Sequence, residues 1–382
     1  MSLLSLPPLS LYVHIPWCVK KCPYCDFNSH TANNQLPEEE YLQALIQDLE
    51  LELPYVQGRK LNSIFFGGGT PSLFSAKTIG RTIQAAQRRI GLKENIEITL
   101  EANPGTFEQE KFSGYRSVGV NRLSIGIQSF NNKQLESLGR IHSSEQAIKA
   151  IETARKADFE NINLDLMHGL PGHDISDAMA DLQQAIDLNP NHISWYQLTV
   201  EPNTVFYNKP PTLPKDIILE SIQEEGLKLL AENGYQQYEV SAYCKKGNKS
   251  AHNMNYWEFG DYLGIGAGAH GKVTLVDEGR IIRTAKTRKP EDYLARENSY
   301  TASSHTIPKE ELPLEFMMNA MRLNNGIPKQ FFSERTGIPL EDIQLTLDKL
   351  KKLKLMEHNI SSLSPTEKGH KFLNNLLEVF DN

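Results

Sequence analysis

From residue 11 to about residue 200, short runs of β-branched and aromatic residues alternate with longer stretches whose apolar positions recur at helical spacing. The runs predict strands at Leu11 to Ile15, Ser63 to Phe66, Ile96 to Glu101, Arg122 to Gln128, Ile162 to Met167 and His192 to Thr199. Between them, Glu38 to Leu53, Ala76 to Ile90, Ser143 to Lys156 and Ile175 to Leu188 predict helices long enough to cross between parallel strands. Repeated βα units of this kind build either an open doubly wound sheet or a full or partial barrel.

The polar residues separate these two. The run Gly67 to Ser72, Glu101, Gln128 and Asp165 each falls at the C-terminal end of a predicted strand, and Cys18 nearly does. In a barrel such side chains converge on one mouth; along an open sheet they would be strung out on an edge. The pattern therefore predicts an α/β fold with a partial, six-stranded (β/α) barrel over residues 1–200.

Pro202, Pro210, Pro211 and Pro214 break both periodicities, so residues 201–215 read as a linker. An α+β extension over 216–300 follows, with a helix at about 216–232, a strand from Gln236 to Tyr243, a glycine-rich loop and a strand from Lys272 to Val276. Residues 301–382 read as a helical, winged-helix-like C-terminal domain, with a short hairpin from Leu355 to Ser364.

Charge adds exclusions. The 382 residues carry 40 Lys and Arg against 47 Asp and Glu, a net charge of −7, with no long run of either sign, which disfavours a nucleic-acid partner held by phosphate contacts and hence a DNA-reading winged helix. No apolar stretch approaches the ~18 to 20 residues that span a bilayer, so a cytoplasmic protein with at most peripheral membrane contact is expected.

Three of the four cysteines, Cys18, Cys22 and Cys25, lie within eight residues, and Cys244 stands apart. That spacing is a metal or cluster site rather than a disulfide framework, and Cys244 reads as a small buried hydrophobe. Pro16 and Pro23 keep the loop out of helix so that three thiolates can wrap around a compact object. A zinc ion would need a fourth ligand, with His14 or His30 the local candidates; a [4Fe-4S] cluster held by three cysteines keeps one iron open.

Cys-x3-Cys-x2-Cys with Tyr24 before the last cysteine, placed after the first barrel strand, resembles the radical S-adenosylmethionine superfamily. That resemblance implies a [4Fe-4S] cluster whose open iron chelates S-adenosylmethionine, which is cleaved to a 5′-deoxyadenosyl radical. The run Gly67-Gly68-Gly69-Thr70-Pro71 lacks the lysine of a phosphate-binding loop, and the formal Gly-x-Gly-x-x-Gly from Gly264 to Gly271 leads into a strand rather than a helix; the latter reads as a loop over the barrel mouth.

Together with Glu101 in Leu-Glu-Ala-Asn-Pro-Gly, Gln128, Arg140 and Asp165, these motifs are similar to the oxygen-independent coproporphyrinogen III oxidase family over residues 11 to about 275. The likeness implies contacts to S-adenosylmethionine from Tyr12, Tyr24, Gly68, Gly69, Thr70, Glu101, Gln128, Arg140 and Asp165.

Two features favour the HemW-type haem-chaperone branch of that family. The oxidases carry a further cysteine two residues after the third, where this chain has Phe27, and a longer N-terminal arm. Ala251-His252-Asn253-Met254-Asn255-Tyr256-Trp257 matches the His-Asn-x-x-Tyr-Trp signature of the chaperones, which makes His252, Asn253, Tyr256 and Trp257 the candidate haem residues, with His252 as ligand or attachment point. The expectation is a protein that carries haem as cargo to acceptor proteins, respiratory haem proteins among them, with flavodoxin or ferredoxin as electron donor. Two alternatives stand beside it: the oxidase, which decarboxylates coproporphyrinogen to protoporphyrinogen, and a protein whose cluster is structural or redox-sensing.

Overall fold

The computed structural model describes residues 4–32, 36–105 and 109–381. Six parallel strands carry the first half: β1 (Leu9–Ile15), β2 (Leu61–Gly68), β3 (Leu92–Ala102), β4 (Arg122–Gln128), β5 (Asn161–His168) and β6 (His192–Gln197). They lie side by side in sequence order, the order of a barrel and not the reversing order of a doubly wound sheet. No pairing joins β1 to β6 among the described residues, so the barrel is partial.

The crossovers use α1 (Glu38–Leu51), α2 (Ala76–Arg89), α3 (Phe112–Ser117), α4 (Ser144–Lys156) and α5 (Ile175–Asp187). The starts of α2, α4 and α5 are written locally. Ser75 accepts the Thr78 N–H at the head of α2, and Ser143 with Gln146, then Asp174 with Asp177, form reciprocal capping boxes ahead of α4 and α5. Apolar residues of these helices and of the strand face they cover, among them Leu11, Val13, Phe66, Leu100, Ile125 and Leu164, form one continuous core.

The second half lengthens the same sheet at both edges. After α6 (Asp216–Glu232), β7 (Gln236–Glu239) and β8 (Ala242–Cys244) form an antiparallel hairpin, and β8 pairs with β6. The single strand expected from Gln236 to Tyr243 is thus two, because the chain turns at Val240-Ser241. After α7 (Ala251–Trp257), β9 (Asp261–Ile265) pairs in parallel with β1, and β10 (His270–Leu275), β11 (Arg280–Lys286) and β12 (Thr301–Thr306) follow antiparallel. Residues 301–306, expected as the start of a helical region, are therefore an edge strand: their sequence is polar, and β12 is nearly all exposed.

Helices from Leu312 to Ala320, Gln330 to Thr336 and Gln344 to Lys352, with a two-residue ladder between Ile327-Pro328 and Ser362-Leu363, form a winged-helix arrangement, and short helices Glu367–Lys371 and Leu373–Glu378 follow it. They have a core of their own around Phe316, Phe332 and Leu350, which includes Phe259 and Ile281 of the sheet extension and so seats the segment on it. Among the described residues no helix is long and apolar enough to cross a membrane.

Candidate functional site

The C-terminal ends of β1, β2 and β3 and the loop that follows β1 meet at one mouth. The cysteine loop is bound to the glycine turn after β2: the Gly69 N–H donates to the Ile15 carbonyl at 2.8 Å and the Thr70 N–H to the Trp17 carbonyl at 2.7 Å. This approach demands glycine, since a Cβ at Gly69 would stand 2.5 Å from the Trp17 oxygen. The loop is held on its other side by Asn28, whose amide donates to the Ala267 carbonyl at 2.9 Å and to the Arg288 carbonyl at 2.8 Å.

Each thiol has a polar neighbour suited to a thiolate. Thr70 hydrogen bonds to Cys18, the Arg140 guanidinium donates to Cys22 Sγ at 3.6 Å, and Ser29 Oγ lies 3.9 Å from Cys25 Sγ. Burial pushes the Cys18 and Cys25 thiols above their ordinary pKa, with nearby cysteines adding to it, so these two are largely protonated in an unloaded loop. Three half-buried thiols on one loop, each with a donor, fit a cluster that binds three cysteines. No group of three or more His, Cys, Asp or Glu among the described residues forms a single-ion site. His14, a candidate fourth ligand for zinc, has both ring nitrogens in use: Nε2 meets the Asn28 carbonyl at 2.8 Å and Nδ1 the Tyr12 hydroxyl at 3.0 Å.

Beside the cysteine loop, at Asp26, Phe27 and Asn28, the structure forms a half-open chamber of about 630 Å³, the size of an organic-ligand site. Tyr12, Gly68 and Glu101 line it from the barrel, and Tyr256 and Trp257 line it from α7. Residues expected to hold S-adenosylmethionine and residues expected to hold haem thus share one space. Glu101 accepts the Gly68 N–H at 3.1 Å; burial, with Asp165 adding, lifts its pKa to about 8, so it is mostly protonated at neutral pH in the empty chamber.

The other expected cofactor residues form a second layer. Arg140 donates to the Asn103 side chain at 2.6 Å and to the Gly126 carbonyl at 2.8 Å, and Asn103 in turn donates to Thr70 at 3.0 Å. Gln128 ends β4 in the left-handed region at φ 70° and accepts the Tyr196 hydroxyl at 2.8 Å. Asp165 lies deeper, fixed by Ser124 at 2.9 Å and Asn163 at 2.8 Å, and Tyr24 packs against Phe206. Asn103 went unassigned although it stands within the Leu-Glu-Ala-Asn-Pro-Gly run; its position two residues after Glu101 was the available signal.

His252 and Asn253 do not line the chamber. His252 is buried behind Tyr256: Nε2 meets the Tyr256 hydroxyl at 2.9 Å, and Nδ1 meets Ser63 Oγ at 2.8 Å. Because Ser63 donates onward to Ser10, Nδ1 carries the proton and Nε2 accepts from Tyr256. Burial lowers the His252 pKa to about 3, so the ring is neutral. An iron ion would reach Nε2 only after displacing the Tyr256 hydroxyl.

The glycine-rich run, expected as a loop over the mouth, is the tight β9–β10 connection at the chamber's edge. The Gly266 N–H is fixed by Asp48 at 3.1 Å and the Ala267 N–H by the Tyr41 hydroxyl at 2.8 Å, and only its Gly268 and His270 face the chamber. Cys244 is buried on β8, paired with His192 at the start of β6 and so at the opposite end of the barrel from the cysteine loop.

Comparison with known proteins agrees with this geometry. Residues 12–185 match the radical SAM superfamily and residues 307–372 the HemN C-terminal domain. The chain is 51% identical to heme chaperone HemW of Haemophilus influenzae over 380 residues, 98% of each chain. It is 48% identical to heme chaperone HemW of Escherichia coli over 378 residues, 99% of each. Among solved structures, coproporphyrinogen III oxidase (HemN) from Escherichia coli superposes with a TM-score of 0.82 at 23% identity, over 99% of this chain and 91% of that one, a likeness of fold.

Proposed function

Since this chain belongs to the HemW family of radical SAM proteins, we propose that it binds haem in the chamber beside its cysteine loop and passes it to acceptor haem proteins. The observation that carries this reading is the chamber itself, which joins the aromatic side chains of the His-Asn-x-x-Tyr-Trp motif to the barrel mouth. Tyr256 and Trp257 offer flat faces to a porphyrin, and His252 stands one hydrogen bond behind.

Cys18, Cys22 and Cys25 would hold a [4Fe-4S] cluster and Tyr12, Gly68 and Glu101 would face S-adenosylmethionine; when bound, the two supply one-electron chemistry. The chain's own part is positional. Asn28 and the glycine turn fix the cysteine loop, Arg140 donates to Cys22, and Glu101 holds a proton that a cationic ligand would draw off. An electron donor such as flavodoxin or ferredoxin would serve the cluster.

Anaerobic reconstitution is expected to give about four irons and four sulfides per chain, lost in Cys22→Ser, and the loaded protein is expected to bind haem while leaving coproporphyrinogen III unchanged when given S-adenosylmethionine and reductant. Formation of protoporphyrinogen would move the chain to the oxidase. In the same preparation, His252→Ala is expected to weaken haem binding with iron and sulfide unaltered; an unchanged haem spectrum would take His252 out of the site.

A further inference from the structure

The chamber has a second wall that the barrel and the motif do not supply. Across the β10–β11 ladder, His270 pairs with Ala285 and Lys272 with Arg283, and Tyr262 of β9 pairs with Lys272. Partners across antiparallel strands share a face, and these residues all border the chamber. Arg288, just past β11, borders it too.

The basic groups on this wall differ in what already holds them. Lys272 is committed: Asp261 binds it at 2.8 Å and it lies over the Phe259 ring. Arg283 is aimed by the Tyr262 hydroxyl at 3.1 Å and by Glu315, an arrangement that leaves further guanidinium N–H groups open. The Arg288 side chain is exposed and makes no hydrogen bond or ion pair among the described residues, while its backbone is fixed through Asn28. His270 lies close enough to both arginines for their charge to depress its pKa, after burial, so it is a neutral N–H donor. The acidic groups on the chamber are Asp26 and Glu101, the latter at the barrel end on the Gly68 N–H. In a chain of net charge −7, two arginines and an imidazole sharing a chamber with Tyr256 and Trp257, the Tyr256 ring packing on Tyr262, describe a receptor for a flat ligand with anionic substituents.

We propose that Arg288, Arg283 and His270 bind the propionate carboxylates of the tetrapyrrole, with its macrocycle directed toward Tyr256 and Trp257. This rests on the haem reading above and adds to it the feature of the ligand that the chamber selects. Guanidinium forks match carboxylates in two-point geometry, and hydrogen bonds to a charged group are stronger than neutral ones.

The test titrates the full-length, cluster-loaded protein with haem and with haem dimethyl ester, which keeps the macrocycle and iron but lacks the anions. The unaltered protein is expected to prefer haem by about tenfold or more, and Arg288→Gln to lose about tenfold in haem affinity with little change toward the ester. Arg288→Gln breaks no side-chain hydrogen bond or ion pair among the described residues, and His270→Gln gives a second variant expected to lose haem affinity in the same selective way. Equal affinity of the unaltered protein for the two ligands would overturn the proposal, as would equal losses toward both in Arg288→Gln. S-adenosylmethionine also carries a carboxylate; if Arg288→Gln weakened its binding while haem selectivity persisted, the wall would belong to that ligand and the proposal would fail. A protein that bound neither haem nor its ester would instead overturn the haem reading itself.

Discussion

At the residue scale, Glu101 shows how much the empty mouth costs the fold. Its ordinary pKa is 4.5 and its folded value about 8, so the folded state holds a proton that the unfolded chain has released throughout that interval. Stability from this group is therefore full below pH 4.5 and declines as pH rises toward 8, at up to about 1.4 kcal/mol per pH unit. Glu101→Gln, which keeps the shape and cannot ionise, is expected to be more stable than the unaltered protein at pH 8 and no different near pH 4. Urea unfolding of both proteins across that range measures the difference, and parallel curves would refute the cause assigned here.

At the scale of elements, the helices of the barrel seat on its strands through small residues. Gly226 of α6 faces the Trp195 ring of β6, where an added Cβ would stand 2.0 Å from the indole. A rigid ring cannot yield that space, so the steric cost of Gly226→Ala, about 1 to 3 kcal/mol, outweighs the ~1 kcal/mol that alanine adds in helix propensity. A lower urea midpoint is expected, and an unchanged or raised one would mean that α6 shifts freely. Elements also show what the sequence discloses. All six barrel strands and four of the five crossovers, α1, α2, α4 and α5, were legible because alternating and helical periods are local, and α2, α4 and α5 each start on a side-chain cap; α3, six residues without one, was not. The partner of β1 was not: nothing in Asp261 to Ile265 says that it pairs 250 residues upstream rather than with its neighbours. β11 left a readable trace in the Asp277-Glu278-Gly279 turn before it, with Gly279 left-handed at φ 63°, while the polar run of β12 left none. In the site, the cysteine triad and the ends of β2 and β3 were legible from order along the chain. The wall of His270, Arg283 and Arg288 was not, since it exists only once β10 and β11 are folded against α7.

At the scale of the molecule, buried neutral histidines set the response to acid. His14 and His168 are lowered by burial to about 4 and His142 and His252 to about 3, and burial also holds His192 well below its ordinary value. The unfolded chain takes up protons at these five positions below pH 6.5 and the folded chain does not. Burial lowers His30, His173, His270 and His370 as well, so the histidines outnumber Asp48, Glu52, Glu101, Asp165 and Asp181, the carboxyls that burial raises and that act in the opposite sense. Net stability is expected to fall as pH drops from 6.5 toward 4.5, seen as a declining thermal midpoint; a constant midpoint over that window would count against it.

The same whole-molecule view gives β1 a temporal meaning. This strand, which delivers the cysteine loop, is hydrogen bonded to β2 on one side and to β9, residues 261–265, on the other. A ribosome making the chain from its amino end must complete two-thirds of it before the strand acquires its second neighbour, and Asn28 cannot clasp Ala267 earlier. The nascent polypeptide therefore offers its thiols on a half-supported strand, and a finished receptacle for the cluster arises only late in translation.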